Sequence, residues 1–201
     1  SDMDGDGLAD LVYTSQLGDV YYFKNESALR WGTRQLMSVQ DSAPPSPFGS
    51  PNVRTADIDF DKRIDIIQSL DVGGAASYRV WLNQGKQSYS QSFTVGQVTA
   101  FQFSQKNVQL RDFNGDRVAD VVRIGTTGLT VQAGLGYGRF TAPRTVTLNG
   151  WQLDSGQIDR ARLEDVTGDG LADLVVERAQ PGQLWFWVNL GNYTLTNRRL
   201  L

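Results

Sequence analysis

The sequence predicts an all-β fold built from four similar four-stranded antiparallel units packed side by side, and three observations carry that prediction. An acidic nine-residue loop recurs four times at nearly constant spacing. A short run rich in β-branched residues follows each copy, as strands favour. A punctuated hexamer then repeats in step with the loops. A unit of this size cannot bury both faces of one small sheet alone, so the copies must stack, and radial stacking leaves only short strand edges. The expected architecture is therefore a β-propeller of four-stranded blades. Four repeats form one region over 1–201, at approximately 2–56, 57–111, 112–164 and 165–201.

The loops read DMDGDGLAD (Asp2 to Asp10), DIDFDKRID (Asp57 to Asp65), DFNGDRVAD (Asp112 to Asp120) and DVTGDGLAD (Asp165 to Asp173), and their first aspartates stand 55, 55 and 53 residues apart. Such a period marks an internal repeat. Oxygen side chains at positions 1, 3, 5 and 9, with a backbone carbonyl at 7, suit a hard cation that takes about six to eight oxygens at roughly 2.3–2.6 Å. Calcium fits that description. Carboxylates packed this closely repel one another unless a cation neutralises them. Gly5, Gly7, Gly115, Gly168 and Gly170 stand where so tight a loop needs positive φ. An EF-hand is excluded, because its position 12 requires a bidentate Glu and here holds Tyr13, Gln68, Arg123 and Val176. By ligand content loops 1 and 3 rank first. Loop 4 comes next, since Thr167 replaces the carboxylate or amide at position 3. Loop 2 ranks last, because Phe60 and Lys62 stand where glycine is usual and Lys62 brings a cation to the site.

Each repeat is then read in order. The runs LVY, IIQ, VVR and LVV after the loops are first strands. Turns follow at Gln16 to Asp19, Asp71 to Ala76, Gly125 to Gly128 and Gln180 to Gly182. The second strands end in the aligned hexamers YFKNES from Tyr22, VWLNQG from Val80, VQAGLG from Val131 and FWVNLG from Phe186, whose Asn or Gly at position 4 marks a hairpin. A third strand comes next, then a connection such as SAPPSPFGSP (Ser42 to Pro51), then a lead-in strand to the next loop: NVRTAD, NVQLRD or RARLED. No segment reads convincingly as a helix. Trp31, Trp81, Trp185, Trp187, Tyr22 and Phe23 are expected to pack between blades. The first loop has no strand before it and the fourth repeat stops at Leu201 short of its lead-in strand, which leads us to expect a segment of a larger ring.

Composition narrows the function. The 201 residues are 40% hydrophobic and 20% charged, ordinary for a globular protein. With no cysteine and no histidine, disulfides, the usual zinc sites and cysteine or histidine catalysis are excluded. Fourteen of the 22 acids lie at proposed ligand positions, leaving eight against 19 Lys and Arg. Four bound calcium ions would add eight positive charges and carry the net charge from −3 to about +5. Weak calcium sites suit extracellular modules, so a secreted setting is expected.

With these motifs set out, DGLADLV, KRIDIIQ, DRVADVV and DGLADLV resemble the FG-GAP or VCBS repeats of integrin α-subunit-type propellers over the whole chain. The resemblance implies calcium held by Asp2, Asp4, Asp6, Asp10 and the carbonyl of Leu8, and by Asp57, Asp59, Asp61, Asp65 and the carbonyl of Arg63. In the second half it implies Asp112, Asn114, Asp116, Asp120 and Val118, then Asp165, Thr167, Asp169, Asp173 and Leu171. More narrowly, RLEDVTGDGLADLVVERAQPGQLWFWVNLGN and GLGYGRF (Gly134 to Phe140) are similar to the propeller repeats of SpvB/TcdB-type proteins, which include the B components of bacterial Tc toxins and related Rhs-repeat proteins. That family implies a docking platform within a large secreted toxin.

The expected function is accordingly a calcium-stabilised protein-interaction platform, with a protein partner or the remainder of a larger polypeptide as its ligand. A carbohydrate-binding lectin is the alternative. It predicts a recurring exposed aromatic, yet the candidate column at hexamer position 2 reads Phe23, Trp81, Gln132 and Trp187. No enzyme activity is expected, since Glu26, Glu164 and Glu177 are the acids left without an identifiable partner. Neither nucleic acid nor a membrane span is expected: Arg160, Arg162, Arg198 and Arg199 form no phosphate-tracking stripe, and no apolar run is long enough.

Overall fold

The structure is a computed structural model and describes residues 2–41, 45–72, 75–96, 101–178 and 182–200. Parts of the expected connection at 42–51 and of the turns at 71–76 and 180–182 lie outside the described residues. Among the described residues the fold is four four-stranded sheets, each holding the strand that follows one acidic loop. The chain divides into two compact units, residues 1–104 with 136–139, and residues 105–135 with 140–201.

In the first unit the opening sheet contains β1 (Leu11–Thr14), β2 (Val20–Asn25) and β3 (Trp31–Val39) in antiparallel order. The second contains β4 (Val53–Ala56), β5 (Asp65–Val72), β6 (Ala75–Trp81) and β8 (Phe93–Gly96), also antiparallel. One strand departs from the expected pattern. β7 (Ser88–Tyr89), from the second repeat, pairs in parallel with the far edge of β3 and completes the opening sheet. The nine-residue β3 offers an edge long enough for this graft. Met3, Val20, Tyr22, Met37, Val53, Ile66, Trp81 and Tyr89 form the core, drawn from both repeats, so stacking of the two sheets buries what neither could bury alone.

The second unit repeats the design. β9 (Val108–Arg111), β10 (Asp120–Ile124), β11 (Gly128–Gln132) and β12 (Arg144–Thr147) form one antiparallel sheet. β13 (Arg162–Glu164), β14 (Asp173–Glu177), β15 (Leu184–Trp187) and β16 (Arg199–Leu200) form the other. Phe113, Val122, Leu129, Val131, Leu163, Leu174 and Trp187 are among the residues of a core again shared by two repeats. The expected lead-in strands are β4, β9 and β13, each antiparallel to the strand that follows its loop.

Two sequence expectations are corrected. A short helix, α1 (Ser155–Arg160), precedes β13; Asp154 caps it by accepting from Gln157 N, and Gln157 closes the box by accepting from Asp154 N. The D-x-x-Q spacing of Asp154 and Gln157 is the capping-box signal for this helix in the sequence. Trp31 does not pack between blades: at the first residue of β3 it is 52% exposed. Trp81, Trp187 and Tyr22 do pack there. No helix among the described residues is long and apolar enough to cross a membrane.

Candidate metal centre

Each acidic loop is wound by its own aspartates. The position 1 carboxylate accepts from the N–H groups of positions 4 and 6: Asp2 from Gly5 and Gly7 at 2.7 and 2.8 Å, Asp57 from Phe60 and Lys62 at 2.8 and 3.0 Å. Asp112 takes Gly115 and Arg117, both at 2.8 Å, and Asp165 takes Gly168 and Gly170 at 2.7 and 2.9 Å. Aiming two N–H groups at one carboxylate throws positions 4 and 6 into the left-handed region in every loop, with φ between 70° and 87°. Glycine meets that demand freely, whereas Phe60, Lys62 and Arg117 meet it against a steric penalty.

Position 5 holds the peptide of position 7, which carries the expected carbonyl ligand. Asp6 accepts from Leu8 N, Asp61 from Arg63 N, Asp116 from Val118 N and Asp169 from Leu171 N, all at 2.8–2.9 Å. Position 3 is less uniform. Asp4 and Asn114 accept from the N–H two residues on, while Thr167 donates its hydroxyl to Asp165.

Position 9 has a structural duty that the ligand reading did not include. Asp10, Asp65, Asp120 and Asp173 are buried, and each accepts from the position 2 N–H of its loop and from the position 4 N–H of its hexamer. The pairs are Met3 and Asn25, Ile58 and Asn83, Phe113 and Gly134, Val166 and Asn189, at 2.7–3.1 Å. One carboxylate thus fastens loop to hairpin in all four repeats. Gly134 stands where the others have Asn because a Cβ there would meet Val118 Cγ1 at 2.3 Å and the Ala119 carbonyl oxygen at 2.5 Å. Burial pushes Asp65 up to about 8 and Asp120 up to about 6, against the lowering pull of their backbone donors.

The loops differ in how they gather charge. Carboxylate oxygens of Asp2, Asp4 and Asp10, and of Asp57, Asp59 and Asp61, lie within 4.8 Å of one another. Among the described residues no such trio forms in loops 3 and 4. Asn114 instead turns its amide onto Asp116 at 2.8 Å. In loop 2, ranked last from sequence, Asp59 Oδ1 is buried and meets no hydrogen-bond partner. Burial first, then the charge of Asp61, raises the Asp59 carboxyl above its ordinary value. An oxygen so placed, beside two further carboxylates, suits a cation ligand, and the donor set is the all-oxygen one that calcium prefers. The residues therefore fit such an ion, and in loop 2 Asp57, Asp59 and Asp61 would hold it.

Two basic side chains also enter the sites, and sequence reasoning missed them. Lys24 reaches Asp4 and, at 3.0 Å, Asp6. Its hydrogen bonds to Asp4 and then Asp6 hold the ammonium above its ordinary value, while the Leu8 N–H and then Lys24 hold Asp6 below its own. Arg63 closes onto Asp61. Lys24 occupies hexamer position 3, where the other repeats carry Leu82, Ala133 and Val188, and that one-off charge was the available signal.

The FG-GAP-like repeat profile matches residues 2–67 and 112–176, covering all four loops. The chain belongs to the FG-GAP-like repeat family. Its FG-GAP-like repeats share their fold with a lectin of Agrocybe aegerita, described for recognition of non-reducing terminal N-acetylglucosamine, at a TM-score of 0.64 and 20% identity over 99% of this chain and 50% of that one. The Photorhabdus luminescens Tc holotoxin pore is similar at a TM-score of 0.55 and 19% identity, over 100% of this chain and 12% of that one. TcdB2–TccC3 without its hypervariable C-terminal region is similar at 0.56 and 19%, over 98% and 9%. The chain thus spans half or less of the length of these structures. These likenesses establish the β-propeller as the fold class of the repeats. No curated protein matches the sequence.

Proposed function

We propose that this chain is a calcium-stabilised propeller region that serves as a docking platform inside a larger secreted polypeptide of toxin or adhesion type, without enzymatic activity. The observation that carries the reading is the shared aspartate framework. Nearly all clustered acids are committed to winding a loop or fastening it to a hairpin. Of the acids left over, Glu26 pairs with Arg30 and Glu164 with Arg111. A platform of this kind needs rigid loops, and calcium bound at positions 1, 3, 5 and 7 would rigidify them. The similarity to short stretches of much longer Tc toxin chains supports the larger-polypeptide setting.

The lectin reading draws support from the Agrocybe neighbour. Its expected aromatic column, however, lies largely inside the cores, with Trp81, Gln132 and Trp187 all buried. Interferometry of the immobilised chain against polypeptide segments encoded beside it in the same gene, with calcium and with chelator, separates the two readings. Calcium-dependent capture of a protein segment is expected. Binding confined to saccharides on a glycan array would overturn the platform reading.

A further inference from the structure

Arg198 is held between two indoles. Its guanidinium carbon lies 3.4 Å from the ring centroid of Trp151 and 3.8 Å from that of Trp185. A second guanidinium, that of Arg178, lies 5.0 Å from the Trp185 centroid. All four residues belong to one compact unit, and the last sheet explains their meeting. Trp185 of β15 faces Val176 of β14 and Leu200 of β16, while Arg178 directly follows β14 and Arg198 directly precedes β16. The two arginines therefore flank one indole from neighbouring strands.

Stacking uses the flat faces of a guanidinium and leaves its five N–H donors in the plane. Arg178 spends a donor on Gln183. Among the described residues Arg198 donates to no acceptor, and neither arginine has a carboxylate partner. Partial burial, and then the charge of Arg178, hold Arg198 below its ordinary value, as befits a cation with a like charge nearby and no counter-charge. Trp151 is 41% exposed, so the stack reaches solvent.

We propose that this stack is the docking point for an aspartate or glutamate carboxylate of an acidic polypeptide segment, received edge-on by the Arg198 fork. The proposal rests on the docking role argued above and names the chemistry of its partner. A pyranose would need an uncovered indole face, and two guanidiniums already lie over Trp185. A carboxylate needs only the in-plane fork, where a bidentate pair forms. Tryptophan and arginine together are also the residues in which protein interfaces concentrate binding energy.

The test follows tryptophan emission as hexaglutamate is added to the whole chain in calcium at low ionic strength, with hexagalacturonate as a saccharide of equal charge. Hexaglutamate should give a saturable change, weakened about tenfold or more by Arg198→Gln and by Arg198→Lys, which keeps the charge and removes the fork. Arg30→Ala, at an exposed arginine in the other unit, should bind as the parent does. Equal affinity in Arg198→Gln, tighter binding of hexagalacturonate, or no response at all would each overturn the site. If the hexaglutamate response is absent while capture of a protein segment persists, this site falls and the docking role stands. Loss of both rejects the docking role itself.

Discussion

The side-chain amide of Asn83 donates to the backbone carbonyl of Met3 at 2.8 Å, joining the hexamer of the second repeat to the loop of the first. Asn189 makes the same bond to Phe113 at 2.7 Å in the other unit. Each asparagine also gives its own N–H to the position 9 aspartate of its repeat and closes its turn by accepting from a glycine N–H. One residue thus ties two neighbouring loops and a hairpin together. Asn83→Ala or Asn189→Ala leaves a buried carbonyl and turn donor without their partner and should cost about 1–3 kcal/mol in chemical denaturation. A cost under a few tenths would show that the tie is replaceable.

Lys62 holds φ at 71° where loops 1 and 4 carry Gly7 and Gly170 at 87°. Lys62→Gly should relieve left-handed strain and, after the entropy cost of glycine, raise stability by about 0.5–1 kcal/mol with chelator present. Denaturant midpoints of the two proteins decide the matter, and a loss of stability would contradict the strain argument.

A calcium ion entering loop 1 would have to displace the Lys24 ammonium from Asp4 and Asp6. Both partners are part-exposed, so the effect is modest: Lys24→Met should tighten calcium binding at loop 1 by about two- to fivefold. In chelator the same variant should be less stable, because the trio Asp2, Asp4 and Asp10 loses its nearby cation. Calorimetric titration reads the first effect and thermal unfolding the second. Unchanged affinity would place Lys24 outside the site.

Asp65 titrates at about 8 in the folded chain, above its ordinary 3.8, because burial disfavours its charge. A folded value above the unfolded one means that protonation favours the fold. The contribution is complete below about pH 4 and is lost as the pH rises through about 8; Asp120, at about 6, acts in the same direction. In chelator, stability should therefore fall across this range, and Asp65→Asn should flatten the fall. Saturating calcium should flatten it as well, since a bound cation favours the ionised carboxylates around it. A slope that neither change alters would exclude Asp65 as its source.

Much of this was legible in the residues, because the loops and hexamers carry their geometry locally. The aspartate at position 1 and the glycines at 4 and 6 dictate a turn within nine residues, and alternation with β-branched residues dictates the strands beside it. What stayed hidden depends on distant partners. The position 9 aspartates are fastened by backbone donors in a hairpin 14 to 18 residues away, as with Asp65 and Asn83. Trp31 looks like core by type, but its fate depends on whether a neighbouring sheet covers the start of β3. The parallel graft of β7 onto β3 leaves no periodic signature, being two residues long. Loop 2 was ranked last for Phe60 and Lys62, which point to strain, while the gathering of Asp57, Asp59 and Asp61 is a matter of side-chain convergence.

If the aspartate loops hold calcium as part of the framework, stripping the ion weakens the fold. The most direct measurement is the thermal midpoint of the metal-stripped chain in millimolar calcium against chelator, with bound calcium counted by calorimetry. A higher midpoint with calcium is expected, with at least one fewer ion bound by Asp59→Ala. Identical midpoints in calcium and chelator, with no calcium bound, would contradict it.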